Sequence, residues 1–263
     1  MLKGAKEEDL YNIKVVGQNR LRPDKITGFF WLTLIFSGLI TAVTSLALDA
    51  GIAITNPIWL TIQKISIAFL VLNAVVALFF TPEKNAYRYQ RLQAIFLSIF
   101  GLKFSVDFFP FYFLAAEDRV APSYMSIYGW VILLGGLVLT LYTTLRAFKR
   151  VKRGEFRKDG NGLYKFKESK TEISIPIVFG SVMIVGAIIQ LLSDPEIIFV
   201  NMIEVLFVLV LCTALQFAIA LAWPEFLLLT ISKFQFESFC IPKIKRKKPK
   251  RHKIHKKSVK VKK

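Results

Sequence analysis

Six stretches of about 20 predominantly apolar residues, each long enough to cross a ~30 Å hydrocarbon core as an α-helix, constrain this chain more than any other feature. They run over residues 28–48, 58–80, 92–115, 126–145, 173–193 and 197–223. Lipid offers no partner to backbone N–H and C=O groups, so segments of this kind specify helices and not an open sheet. The expected fold class is an all-α membrane protein, a six-transmembrane-helix bundle occupying 28–223. Breakers and interfacial anchors punctuate the stretches: Trp31, Asn56-Pro57, Thr81-Pro82, Asp194-Pro195 and Trp223-Pro224.

Positive charge resists translocation, so the connections set the orientation. Residues 1–27 carry six Lys and Arg, 81–91 carry three, 146–172 carry ten, and the chain beyond Trp223 carries fourteen. The alternate connections hold Arg119 alone among basic residues, with Asp49, Glu117, Asp118, Asp194 and Glu196. An N-in/C-in topology follows, in a plasma membrane of the bacterial type. Five or seven spans would place either the ten-charge loop or the basic tail outside. The first span is too long for a secretory signal and has no small-residue cleavage pattern before or after it, so it reads as a retained helix behind a cytoplasmic segment, 1–27.

Two cysteines and two histidines, both histidines lying in the last 22 residues, exclude disulfide frameworks, HExxH zinc sites, multi-histidine diiron sites and Cys/His nucleophile pairs. No Walker, GxSxG or DFG pattern occurs, so the chain alone does not power transport with ATP, and no cofactor or metal is implied. The formal charge of +18 is mostly terminal: the last 22 residues hold 13 basic residues and no acid.

Outside the spans, the loop over 146–172 contains Asp159-Gly160-Asn161-Gly162 between aromatic flanks, the chemistry of a tight turn, and predicts a small cytoplasmic β-hairpin. Pro224-Glu225 suits the first turn of a new helix, so 224–241 is expected to be an interfacial segment; a sixth helix continuing past the headgroups satisfies the same periodicity. Residues 242–263 have too little apolar material to offset ordering entropy and are expected to be disordered. Lys243, Lys245, Arg246, Lys247, Lys248, Lys250, Arg251, Lys253, Lys256 and Lys257 would meet anionic lipid headgroups or a protein partner on the cytoplasmic face. No aromatic residue is interleaved with them, so sequence-specific nucleic-acid recognition is not expected.

Four ionisable residues fall well inside spans: Lys64, Lys103, Asp107 and Glu204. Each costs roughly 3 kcal/mol there on insertion scales, so each should face protein or water. At 1.5 Å per residue, Lys64, Asp107 and Glu204 share a level about 9–12 Å below the outer surface, and Lys103 lies one turn deeper on the face of Asp107. Pro110 cannot donate to the carbonyl of Val106, so the third helix should kink beside the acid. Gln190, Asn201 and Ser105 could join this layer. It reads either as a neutral network locking helices together, with Lys64 snorkelling upward, or as a substrate or proton site with Asp107 and Glu204 as exchangeable carboxylates.

Weaker patterns read as packing. Phe96, Phe100, Phe104 and Phe108 form an i,i+4 ridge, while Ser37, Thr41 and Ser45 with Gly38 and Ala42 form a small-residue face on the first helix. Gly135-Gly136, Gly180 and Gly186 suggest close helix approach, and Cys212 and Cys240 act as small hydrophobes. Two functional classes follow: a non-catalytic accessory or permease-type subunit docking through its basic cytoplasmic surface, or a small carrier or channel using the charge layer. The basic surface and the expected absence of helices broken at mid-depth favour the first. An intramembrane enzyme comes third, because no nucleophile or metal accompanies the carboxylates.

Overall fold

The computed structural model describes residues 6–49, 57–118, 122–160, 162–163 and 198–242. A 3-10 turn (Glu7–Leu10) leads into α1 (Tyr11–Gln18), followed by α2 (Pro23–Asp49), α3 (Ile58–Phe80), the short α4 (Glu83–Arg88), α5 (Gln90–Phe104), α6 (Phe109–Asp118), α7 (Ser123–Lys152) and α8 (Ile198–Gln235). A second 3-10 turn spans Glu237–Phe239. Among the described residues, five segments are long and apolar enough to cross a membrane: α2, α3, α5 with α6, α7 and α8. The chain is a multipass, all-α membrane protein. The expected fifth span, 173–193, and the basic tail beyond Pro242 lie outside the described residues.

The described helices neighbour one another in the order α3, α2, α5/α6, α8, α7, with α6 also touching α2 and α7. The buried face of α2 follows helical spacing through Ile26, Phe30, Thr33, Ser37, Ile40, Thr41 and Thr44. The phenylalanine ridge of α5 packs on this face and its flank: Phe100 lies 5.7 Å from Phe30, and Phe104 and Phe108 lie 4.9 Å and 4.8 Å from Phe36. On α7, Gly136 is buried where Gln216 of α8 crosses it, whereas Gly135 faces open space.

Helix limits differ from the sequence expectation where caps and tertiary bonds intervene. α2 starts at Pro23, whose fixed φ suits a first helical turn, and Asp24 beside it complements the positive helix end. α7 runs on to Lys152 because Lys149, Arg150 and Lys152 sit favourably at the negative end.

Two proline effects go opposite ways. The third span is not one kinked helix but two: helical bonding stops at Ser105, Val106 N–H turns back to the Lys103 carbonyl, and the Val106 carbonyl, which Pro110 cannot serve, accepts from Phe109 at 3.2 Å. The expected kink beside Asp107 is in the structure an interruption at 105–108, within a segment long and apolar enough to be one span, where no interrupted helix was expected at mid-depth. Conversely, α8 passes through Pro224 without ending. Pro224 withholds its bond from the Ala220 carbonyl, and the Thr143 hydroxyl of α7 donates to that carbonyl at 2.7 Å instead. Residues 224–235 therefore continue the sixth span's helix, with Phe226, Leu228, Leu229, Ser232 and Lys233 buried.

The end of the array that carries the basic connections has its own core, made of Leu10, Ile13, Phe148, Val151, Phe156, Leu228, Leu229 and Phe239. Here the first arm of the expected hairpin is a succession of turns, and no strand occurs among the described residues. The reason is burial. Phe156 is drawn into the core, its carbonyl accepts Asn12 N–H at 2.9 Å, and Glu155 accepts Gly162 N–H at 2.9 Å through its carbonyl. Gly154 and Gly162 supply the positive φ values of 75° and 56° that this curl requires. The second arm, 164–167, lies outside the described residues.

Candidate functional site

The break between α5 and α6 holds an enclosed pair of opposite charges. Asp107 lies in the non-helical stretch, where its Oδ1 meets Lys103 Nζ at 2.5 Å and its Oδ2 accepts a hydrogen bond from Ser37 of α2 at 2.5 Å. Both charged side chains are largely enclosed, at 16% exposure for Lys103 and 8% for Asp107. Unwinding thus presents the carboxylate to α2 while leaving its lysine within reach, and Pro110 occupies the first turn of α6, where its missing N–H costs nothing.

The four-member charge layer is only partly assembled. Lys64 occupies an exposed position on α3; its neighbour Gln63 is the residue turned toward α2. Gln63 donates to the Thr41 carbonyl at 2.9 Å and to the Ser45 hydroxyl, and accepts from Thr44 at 2.9 Å. Glu204 is half-buried near the start of α8. Ser105 bonds its own helix through the Leu102 carbonyl at 2.6 Å.

Sequence reasoning drew Gln190 and Asn201 into the charge layer but passed over four other residues, three amides and an indole, that do comparable work. Asn73 donates to Thr33 at 3.2 Å, Gln93 to the Pro23 carbonyl at 2.8 Å, and Gln216 to the Leu133 carbonyl at 2.9 Å. Trp223 reaches the Ser98 carbonyl at 2.8 Å. The signal was available: an Asn or Gln inside an apolar run must find a partner, because an unpaired amide in hydrocarbon costs several kcal/mol, by roughly the same logic as a charge.

The basic end is tied by long-range polar contacts. Arg20 binds both oxygens of Glu225 at 2.5 Å, Lys14 pairs with Glu7 at 2.8 Å, and Arg157 Nε donates to Asp9 at 2.8 Å. Backbone donation from Lys6 and the bond from Arg157 hold the Asp9 carboxyl below the usual carboxylate range. Gln90 clamps the chain just before the tail, donating to the Ile241 carbonyl at 2.6 Å and accepting Ile241 N–H at 3.0 Å. Arg91 donates to the Lys233 carbonyl at 3.0 Å. Beside this clamp lies a cleft of about 450 Å³ bordered by Tyr87, Arg88, Tyr89, Arg91 and Phe234. The ten tail residues expected to meet lipid or a partner, Lys243 to Lys257, lie outside the described residues. Among the described residues no group of three or more His, Cys, Asp or Glu could hold a metal ion.

Compared with protein-family models, with curated proteins and with solved structures, the chain matches none.

Proposed function

We propose that this is a six-span, N-in/C-in protein of a plasma membrane, acting as a non-catalytic accessory or permease-type subunit that docks a partner on its basic cytoplasmic face. The observation that carries this reading is the dedicated core at the basic end, where α1, the end of α7, the turns after it, the end of α8 and the second 3-10 turn are packed and bonded together. A chain needing only to anchor its spans has no use for such a layer; a docking surface does, because preformed geometry lowers the ordering cost of binding. The Gln90 clamp adds to this by fixing the root of the tail on α5. The test is purification of the full-length protein and of a version ending at Ile241 in mild detergent, with particle mass and co-purifying chains recorded for both. A stoichiometric partner that depends on the tail supports the reading, and a bare monomer or homo-oligomer in both preparations sinks it.

A second reading, a small carrier or channel, is favoured by the break at 105–108. Irregular backbone at membrane depth is tolerated where it is enclosed by protein or lines a water-filled path, and carriers place binding sites at such breaks. On this reading Asp107 is the exchangeable carboxylate and Lys103 its counter-charge. Flux by the purified protein in vesicles, abolished by Asp107→Asn at normal expression, would support it; no flux above empty vesicles removes it.

A further inference from the structure

α7 ends in basic residues at helical spacing. Arg146, Lys149, Arg150 and Arg153 stand at i, i+3, i+4 and i+7, so they share one face. The opposite face is anchored: Ala147, Phe148 and Val151 are buried in the basic-end core. Together with Tyr142 and Glu155, the four cations border a cleft of about 390 Å³. Arg150 is held in place, donating through Nε to Glu155 at 2.5 Å and through Nη1 to the Leu163 carbonyl at 2.8 Å. Among the described residues no carboxylate is paired with Arg146, Lys149 or Arg153. Among the described residues, four cations against one carboxylate leave the cleft at +3.

The helix above the cleft has a different character. Leu134, Val138, Leu141 and Leu145 follow one another along a single exposed stripe, at 58%, 66%, 60% and 46% exposure. From Leu134 to Arg146 is about 18 Å along the axis, close to the ~15 Å half-thickness of a hydrocarbon core. Tyr142, 59% exposed, sits at the junction, where a phenol ring suits the headgroup level. An apolar track one leaflet long therefore ends in a cationic cleft.

We propose that this cleft binds the phosphate of an anionic phospholipid from the adjoining leaflet, with its acyl chains lying along the Leu134 to Leu145 stripe. Guanidinium groups take phosphate oxygens through paired N–H donors, and Arg150, already oriented by Glu155 and Leu163, supplies a fixed member beside the three other cations. The proposal is independent of which partner, if any, the basic face docks, and the site is separate from the tail.

The test is native mass spectrometry of the full chain in detergent, titrated with phosphatidylglycerol, with phosphatidylcholine, or with inorganic phosphate. The expected result is retention of phosphatidylglycerol in preference to phosphatidylcholine, unaffected by millimolar inorganic phosphate. A basic residue near a membrane surface is worth about fivefold in affinity, so R146Q/K149Q/R153Q should weaken retention on the order of 100-fold. The charge-conserving R146K/K149R/R153K should retain it largely, as should a full chain with its ten tail residues from Lys243 to Lys257 changed to Gln. Arg150 is left intact because it also supports the turn. If the triple variant does not fold, single substitutions of Arg146, Lys149 or Arg153, each expected to cost about fivefold, give the same reading. Equal retention of the two lipids, undiminished retention by R146Q/K149Q/R153Q or by each of its single substitutions, or displacement by inorganic phosphate would each overturn the proposal. So would loss of retention with the tail charges alone.

Discussion

Breaking the Lys103–Asp107 pair one charge at a time, then both together, tests whether burial governs this site. The ion pair is 2.5 Å long, its members are 16% and 8% exposed, and Ser37 already occupies the second carboxylate oxygen. Asp107→Asn keeps an acceptor for Ser37 but strands the Lys103 ammonium, and Lys103→Met strands the carboxylate. Removing one partner of an enclosed pair costs about 3–5 kcal/mol, whereas replacing both with neutral groups of similar volume is often nearly neutral. For a chain of this size about 1 kcal/mol moves Tm by roughly 2–4 °C, so each single variant should melt on the order of 10 °C lower. The K103M/D107N double variant should return to within a few degrees of the parent. Melting of purified protein in one detergent, followed by loss of monodispersity, reads all four corners of the cycle. Additive losses in the double variant would refute the reasoning, because uncoupled charges are not sharing an enclosed site. A stable double variant that has also lost flux would move the assignment toward the carrier reading.

Other consequences can be measured separately. Gly136→Ala should cost about 1–3 kcal/mol by pushing the Gln216 amide off the Leu133 carbonyl, while Gly135→Ala, with open space around it, should be neutral or stabilising by up to about 1 kcal/mol; equal melting of the two variants would contradict the packing described. Thr143→Val should destabilise by about 1–3 kcal/mol through the orphaned Ala220 carbonyl, and Thr143→Ser should restore most of it; identical melting of all three proteins would remove the proline argument. Asp9 has a depressed folded pKa, so its contribution is complete above the unfolded value of about 3.9 and disappears as pH falls through the folded one. The melting difference between the parent and Asp9→Asn should therefore shrink below pH ~4, and a constant difference from pH 6 to pH 3 argues against the latch. A peptide of residues 242–263 should bind vesicles more strongly as anionic lipid increases and less strongly as salt increases; equal binding to neutral vesicles contradicts that role for the tail.

Span positions were legible because length and hydropathy are local properties: α3 occupies 58–80, the stretch expected. What escaped was decided by atoms distant in sequence. Both Pro110 and Pro224 carry the same local instruction, to stop donating four residues back, yet one accompanies a full break and the other leaves α8 continuous. The difference is Thr143, 77 positions before Ala220. The hairpin expectation rested on the turn Asp159-Gly160-Asn161-Gly162, of which Gly162 adopts positive φ; its first arm curls through turns with Phe156 buried and bonded from Asn12, and its second arm, 164–167, lies outside the described residues. In the candidate site, the i,i+4 relation between Lys103 and Asp107 was readable, and so was the neighbourhood of Pro110. The partnership of Asp107 with Ser37 was not, because it depends on how α2 and the unwound stretch face one another.

The hydroxyl that crosses from Thr143 to the carbonyl of Ala220 also makes one helix depend on another for a backbone partner. α7 leaves the ribosome before α8, so the donor is in place by the time Pro224 emerges. Without α7 beside it, the segment 198–235 would carry an unmatched carbonyl at its proline. Along its full length of about 57 Å, the carbonyl freed by its proline is served by the neighbouring helix. Insertion and association, commonly treated as successive stages, are linked at this point: the turn at Pro224 gains a partner for its freed carbonyl only where α8 packs against α7.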